Sequence, residues 1–209
     1  MDIRVSFARA RRYSALVVVL AGATAAVTAV AWSTQDRIRA NQVAWLTARL
    51  QALVPETLRD NDLQADAVQV HAPELSAAPV KVYRARRNGS STALVLTATA
   101  RDGYGGPIEL LIAVDYDGRL LGVDVLRHNE TPGIGENYLP QRTPWLAQLA
   151  GRSLRDPEPR RWSIVKDGGE FDFITGASIT PRAMLKTVRL ALEYQSLHSQ
   201  ELFDAPAGR

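Results

Sequence analysis

Residues 108–126 read IELLIAVDYDGRLLGVDVL, two apolar runs of high β-propensity joined through Asp117-Gly118. An Asp-Gly pair supplies the positive backbone angles of a tight turn, so Ile108–Asp115 and Arg119–Leu126 are expected to pair as an antiparallel hairpin. Upstream, Val80–Arg84 and Thr92–Thr97 flank Asn88-Gly89 and repeat the signal. Between the hairpins lies Gly103-Tyr104-Gly105-Gly106-Pro107, a loop without the strand–loop–helix context of a phosphate cradle. Its glycines are read as serving a tight backbone path.

Downstream, Thr143–Gly151 has an N-capping residue, a first-turn proline and a terminal glycine, so a short helix is expected. Asp156-Pro157-Glu158-Pro159 reads as irregular, and Trp162–Lys166 as a further strand. A last helix is expected after Thr180-Pro181, running to about His198. Met184, Leu185, Val188, Ala191, Leu192 and Gln195 recur there at helical spacing and define a core face. Hairpins first and capping helices late make the body one α+β domain, assigned to residues 61–209.

Before that body, Tyr13 to Trp32 is a run of uncharged, mostly apolar residues. At ~1.5 Å of rise per residue a helix of that length crosses ~30 Å of hydrocarbon. A transmembrane helix is therefore expected over 13–33, preceded by a tip at 1–12. An amphipathic helix and linker (34–60), with Ile38, Val43, Trp45, Leu46, Leu50 and Leu53, would follow and stop at Pro55. Arg4, Arg9, Arg11 and Arg12 precede the span, which by the positive-inside rule leaves the N-terminus in the cytoplasm and exports the body. The competing reading is a cleaved signal peptide, with Ala29-Val30-Ala31 as the processing site.

Composition narrows the chemistry. The chain has 209 residues, 46% of them hydrophobic, and no cysteine. Disulfides, catalytic thiols, zinc–thiolate sites and self-ligated iron–sulfur clusters are thereby excluded. The net charge of +3 resides in the first 12 residues, and the remainder is formally neutral. Nucleic-acid binding has no basic surplus to support it. Arg84, Arg86 and Arg87 are read as a solvated strand end. The three histidines are far apart, and no metal-ligand or Ser–His–Asp spacing is present, so neither a metal site nor a catalytic residue is assigned.

Two segments stand out. His128-Asn129-Glu130-Thr131-Pro132-Gly133-Ile134-Gly135-Glu136-Asn137 is a polar, glycine-bearing loop leaving an apolar strand. Asp172-Phe173-Ile174-Thr175-Gly176-Ala177-Ser178-Ile179-Thr180-Pro181 leads into the last helix. By itself the second reads as a strand, a glycine turn and an N-cap. It is also a place to hold a phosphate, with small residues, clustered hydroxyls and the free amides of a helix start.

The run DFITGASITP closely resembles the flavinylation motif of covalent-FMN domains, an Asp followed by Ser/Thr-Gly-Ala-Ser/Thr-x-Ser/Thr. The loop HNETPGIGE resembles the His-x-Glu-Thr-Pro-Gly-Leu-Gly loop of one branch, which GYGGPI and VKDGGEFD also match. That branch is the G subunit of Rnf ion-translocating electron transport complexes, and the resemblance spans essentially the whole chain. It implies FMN esterified through its phosphate to Ser178 by a separate flavin transferase. Thr175 and Thr180 are the neighbouring hydroxyls, Gly176 and Ala177 the small positions and Asp172 the acidic one. Glu130, Thr131 and Gly133 are expected near the flavin. His128 is read either as contributing there or as ordering the loop. Ser178 replaces the usual Thr, keeping the oxygen and losing a methyl, and Ile134 replaces Leu at conserved volume.

The implied function is that of a bacterial inner-membrane, single-pass electron carrier with a periplasmic domain. It would serve a redox-driven ion translocase exchanging electrons between ferredoxin and NAD, with the other Rnf subunits as partners and no catalytic activity of its own. The C subunit of the Na⁺-translocating NADH:quinone reductase shares the anchor, fold and acceptor motif. GYGGPI and HNETPGIG favour the first branch. An exported scaffold without cofactor is the remaining alternative.

Overall fold

The computed structural model describes residues 3–133 and 135–208, with side chains described at Tyr13 and from Val17 onward. The basic N-terminal tip and Ile134 therefore lie outside the described side chains. The chain divides into two compact units, Met1–Leu46 and Thr47–Arg209.

The first unit belongs to α1 (Ile3–Leu53), a single uninterrupted helix where two were expected. Among the described residues it is the one helix long and apolar enough to cross a membrane, with a mean hydropathy of 1.7 in its most apolar window. The valines and leucines from Val17 to Val30 are exposed, as a lipid-facing surface requires. Its hydroxyls satisfy themselves on the preceding turn: Thr24 donates to the Leu20 carbonyl at 2.9 Å and Thr28 to the Thr24 carbonyl at 2.8 Å. This back-bonding leaves neither hydroxyl hydrogen bare toward hydrocarbon.

The second unit is built on a five-stranded antiparallel meander: β1 (Ala67–Val70), β2 (Val80–Arg87), β3 (Ser90–Ala100), β4 (Ile108–Asp115) and β5 (Leu120–Arg127). Both expected hairpins form, turning at Asn88-Gly89 and near Gly118, whose φ values are positive. Strand β1 carries no comparable turn signal and was not expected.

Alternation sorts the side chains. Val80 and Val82 on β2, Leu94 and Leu96 on β3, and Leu110 and Ile112 on β4 join one large core with α2 (Ile179–Asp204). Met184, Leu185, Val188, Ala191, Leu192 and Gln195 are all buried, as their spacing predicts. Tyr83, Ala85, Val95, Leu111 and Ala113 point the other way and are buried too. On that face Arg49 pairs with Asp124 of β5 at 2.6 Å, and Leu50, Val54 and Leu63 are buried nearby in sequence. Residues 47–60, assigned above to the juxtamembrane helix and linker, lie in this unit.

Several expectations need correction. Trp162–Lys166 is no strand: Ile164 makes a lone parallel bridge to Phe171, and Val165–Asp167 is a 3-10 turn. The Gly168-Gly169 reversal follows at once, and a side chain on Gly169 would run into the Ser163 carbonyl. The segment 172–174 is likewise irregular. Trp145–Leu149 forms a single 3-10 helix, whose first N–H donates to Thr143 Oγ1 at 3.3 Å. Helix α2 begins two residues before Pro181, because proline in a first turn forfeits no intrahelical bond. It continues past His198 to Asp204.

Of the arginine cluster, Arg87 is exposed as expected, but Arg84 and Arg86 are not a solvated strand end. Arg84 is 2% exposed and donates to the Leu202 and Phe203 carbonyls at 3.2 Å and to that of Ala205, while also pairing with Asp66. Arg86 reaches Asp66 at 2.8 Å and the Phe203 carbonyl at 2.6 Å. Two guanidinium groups thus satisfy the Leu202, Phe203 and Ala205 carbonyls at the negative end of α2.

Candidate functional site

A cleft of about 390 Å³ opens at the N-terminal end of α2. Its lining combines the two segments singled out above: Glu130, Thr131 and Gly135 from one, and Gly176 through Thr180 from the other. Tyr104, at the centre of the glycine loop, completes it.

The glycine loop makes that meeting possible. A Cβ on Gly105 would stand 2.1 Å from the Asn129 carbonyl oxygen, and one on Gly103 would stand 2.3 Å from that of Gly106. Only bare backbone lets residues 103–107 lie against 129–130, so the expectation of a tight path holds. The same path leaves Tyr104, 69% exposed, on the cleft wall.

Glu130 is 4% exposed, and neither carboxylate oxygen has a hydrogen-bond partner. Its space exists because two neighbours are glycines. A Cβ on Gly135 would stand 2.7 Å from Oε2, and one on Gly103 would stand 3.0 Å from Oε1. The Glu130 backbone N–H donates to His128 Nδ1 at 3.3 Å, and the His128 ring meets Tyr138 edge-on at 5.9 Å. His128 is thus seen ordering the loop and does not line the cleft. Burial pushes the Tyr138 phenol well above its ordinary pKa, and the charges of Glu130 and Glu136 add to the shift.

On the opposite wall, Gly176 takes a left-handed φ of 82° and turns the chain into α2. Ser178 is the residue before the helix, and its hydroxyl caps none of the helix amides. Instead its Oγ accepts from Arg182 Nη1 at 3.0 Å. Arg182 is held in turn by Asp167, Nε to Oδ2 at 2.5 Å and Nη2 to Oδ1 at 2.9 Å. The Arg182 bond holds the Asp167 carboxyl below the usual carboxylate range, and Asp167 raises the guanidinium further, so the pair stays ionised through neutral pH. Thr180 is 1% exposed with an unpartnered Oγ1, and it lines the cleft.

Asp172, Thr175 and Gly133 do not line the cleft, and all three are exposed. The Asp172 backbone is pinned instead, its N–H donating to Gln148 Oε1 at 2.8 Å and its carbonyl accepting from Trp145 Nε1 at 2.7 Å. Tyr104, Gly135 and Ile179 line the cleft without having been singled out. Tyr104 and Gly135 each sit in a quoted glycine-rich segment, and that placement was the available signal. Arg182 was not singled out either, and its spacing of four residues from Ser178 at a helix start was the available signal for their bond.

The arrangement offers a buried acid, an aromatic wall, helix-start amides and a cation beside a hydroxyl, a set suited to a large polar-headed ligand. The class follows from comparison: residues 103–193 match the family of the FMN-binding domain. Proteins described as the G subunit of an ion-translocating oxidoreductase complex are similar over nearly the whole chain. That of Vibrio atlanticus is 36% identical, covering 91% of this chain and 92% of its own. That of Shewanella amazonensis is 40% identical over 88% and 87%, and that of Pectobacterium atrosepticum 39% over 91% and 92%. This chain belongs to the family of those G subunits.

The residues present fit the nucleotide. Glu130 and Thr180, each with a buried and unpartnered side-chain oxygen, line a cleft of suitable size.

Proposed function

We propose that this protein is an electron carrier with FMN esterified to Ser178, serving a membrane complex that couples electron transfer between ferredoxin and NAD to movement of Na⁺ or H⁺. The observation that carries the reading is the convergence of the Glu130 loop and Ser178 on one cleft at the start of α2. Family membership supports the redox complex, and the other subunits of that complex are the partners.

In this reading Ser178 Oγ carries the flavin phosphate. The amides of the first turn of α2 and the Thr180 hydroxyl hold the phosphoryl oxygens. Gly176 and Ala177 allow close approach. Thr131 and Glu130 face the ring system, where a buried carboxylate accepts a ring N–H and Tyr104 offers a stacking face. Gly133 belongs to the same loop as a backbone pivot, its N–H donating to Glu136 Oε1 at 3.1 Å. Asp172 and Thr175 are presented to the flavin transferase. When bound, FMN accepts and donates electrons singly or in pairs, which suits a relay between partner centres. Covalent attachment keeps the cofactor where no free pool replaces it.

Helix α1 anchors the domain at the inner membrane, with the arginine-bearing end in the cytoplasm and the cleft in the periplasm. The acceptor is tested with Ser178→Ala, made alongside the transferase. Its intact mass is expected to lack the flavin adduct while its melting stays within a few degrees. A surviving adduct would move the acceptor to another hydroxyl, with Thr180 the first to examine.

A further inference from the structure

Arg182 lies outside the acceptor motif, yet its Nη1 is 3.0 Å from Ser178 Oγ. Its other two nitrogens are fixed in a two-pronged pair with Asp167, at 2.5 and 2.9 Å, so the guanidinium plane is set by a separate loop. Ser178 and Arg182 are four residues apart and so share a face of the chain as α2 begins. Beside them, Thr180 Oγ1 is buried without a partner on the cleft wall.

We propose that Arg182, oriented by Asp167, is the positioning residue that aims the Ser178 hydroxyl and neutralises the phosphoryl group it receives. This role rests on the reading of Ser178 as the flavin-bearing residue. A guanidinium donating to Oγ occupies an oxygen lone pair and leaves the hydroxyl hydrogen free to depart. It also restricts the Ser178 rotamer, a restriction that threonine owes in part to its extra methyl. In the transfer, the donor is a flavin phosphate activated as a pyrophosphate. Ser178 Oγ forms the new bond to flavin phosphorus, the pyrophosphate P–O bond breaks, the second nucleotide leaves as its monophosphate, and the hydroxyl proton passes to water. Negative charge that develops on the phosphoryl oxygens lies beside the Arg182 cation throughout.

The test follows adduct formation by intact mass on the full chain in detergent, with purified flavin transferase and flavin dinucleotide. Arg182→Gln is expected to slow modification by about tenfold or more, the scale of one charge-assisted hydrogen bond. Arg182→Lys is expected to recover part of the rate, and Ser178→Thr to recover part of it within Arg182→Gln. Asp167→Asn, which keeps the cation and loosens its clamp, is expected to give an intermediate rate. The recovery by Ser178→Thr within Arg182→Gln would not follow from a merely structural salt bridge. Modification of Arg182→Gln at the unaltered rate, or Arg182→Lys no faster than Arg182→Gln, overturns this role alone. An unaltered chain that takes up no flavin overturns the reading of Ser178, and this role with it.

Discussion

Glu130 concentrates the tension between stability and function in one side chain. A carboxylate at 4% exposure without a hydrogen bond is costly to bury, and a fold under no other demand replaces it. Glu130→Gln is therefore expected to stabilise the flavin-free protein by about 1 kcal/mol, read as a higher urea midpoint at unchanged slope. A lower midpoint would contradict the view that the unpartnered carboxylate is kept for a ligand. Residue identities such as Glu130 and Ser178 were legible because they sit in segments with a recognisable order. Their partners were not singled out. Arg182 reaches Ser178 through a local turn, and Asp167 comes to Arg182 from a loop whose path depends on Gly169 packing on Ser163.

At the scale of elements, turn chemistry was the dependable signal. Asn88-Gly89 and Asp117-Gly118 placed four of the five strands, because few other residues accept those backbone angles. Where order comes from tertiary contact, local pattern misled. Trp162–Lys166 alternates like a strand, but Trp162 packs onto Phe171 and no neighbouring strand receives the segment. The glycine loop is the element on which the cleft depends. Gly105→Ala is expected to cost about 3 kcal/mol, since its Cβ meets backbone that has no room to yield. Equal stability to denaturant would show that residues 103–107 do not press on 129–130. The arginines at the end of α2 carry a similar expectation. Arg84→Met is expected to lose about 3 kcal/mol, because it strips a buried cation from Asp66 and from three helix-end carbonyls. A loss below about 0.5 kcal/mol, typical of exposed positions, would contradict this capping role.

For the whole molecule, an exposed apolar helix and a globular FMN-binding domain divide the work between anchoring and chemistry. The hydrophobic run and the arginines before it were legible from composition, as was the neutrality of the remainder. The extent of the globular unit was less so, because Leu50 and Val54 continue a helical pattern whose burial only the folded sheet reveals. Orientation is a prediction at this scale. A tag at the C-terminus is expected to be cleaved by protease added to intact spheroplasts, and cleavage only after lysis would place the domain in the cytoplasm.

The electron-carrier reading depends on the proposed phosphate ester at Ser178. The most direct measurement is mass spectrometry of the tryptic peptide spanning residues 167–182, from protein purified out of its own membrane. The account predicts a peptide heavier by one FMN less one water, with fragmentation placing the addition on Ser178. An unmodified peptide, or an addition that maps to another residue, would contradict it.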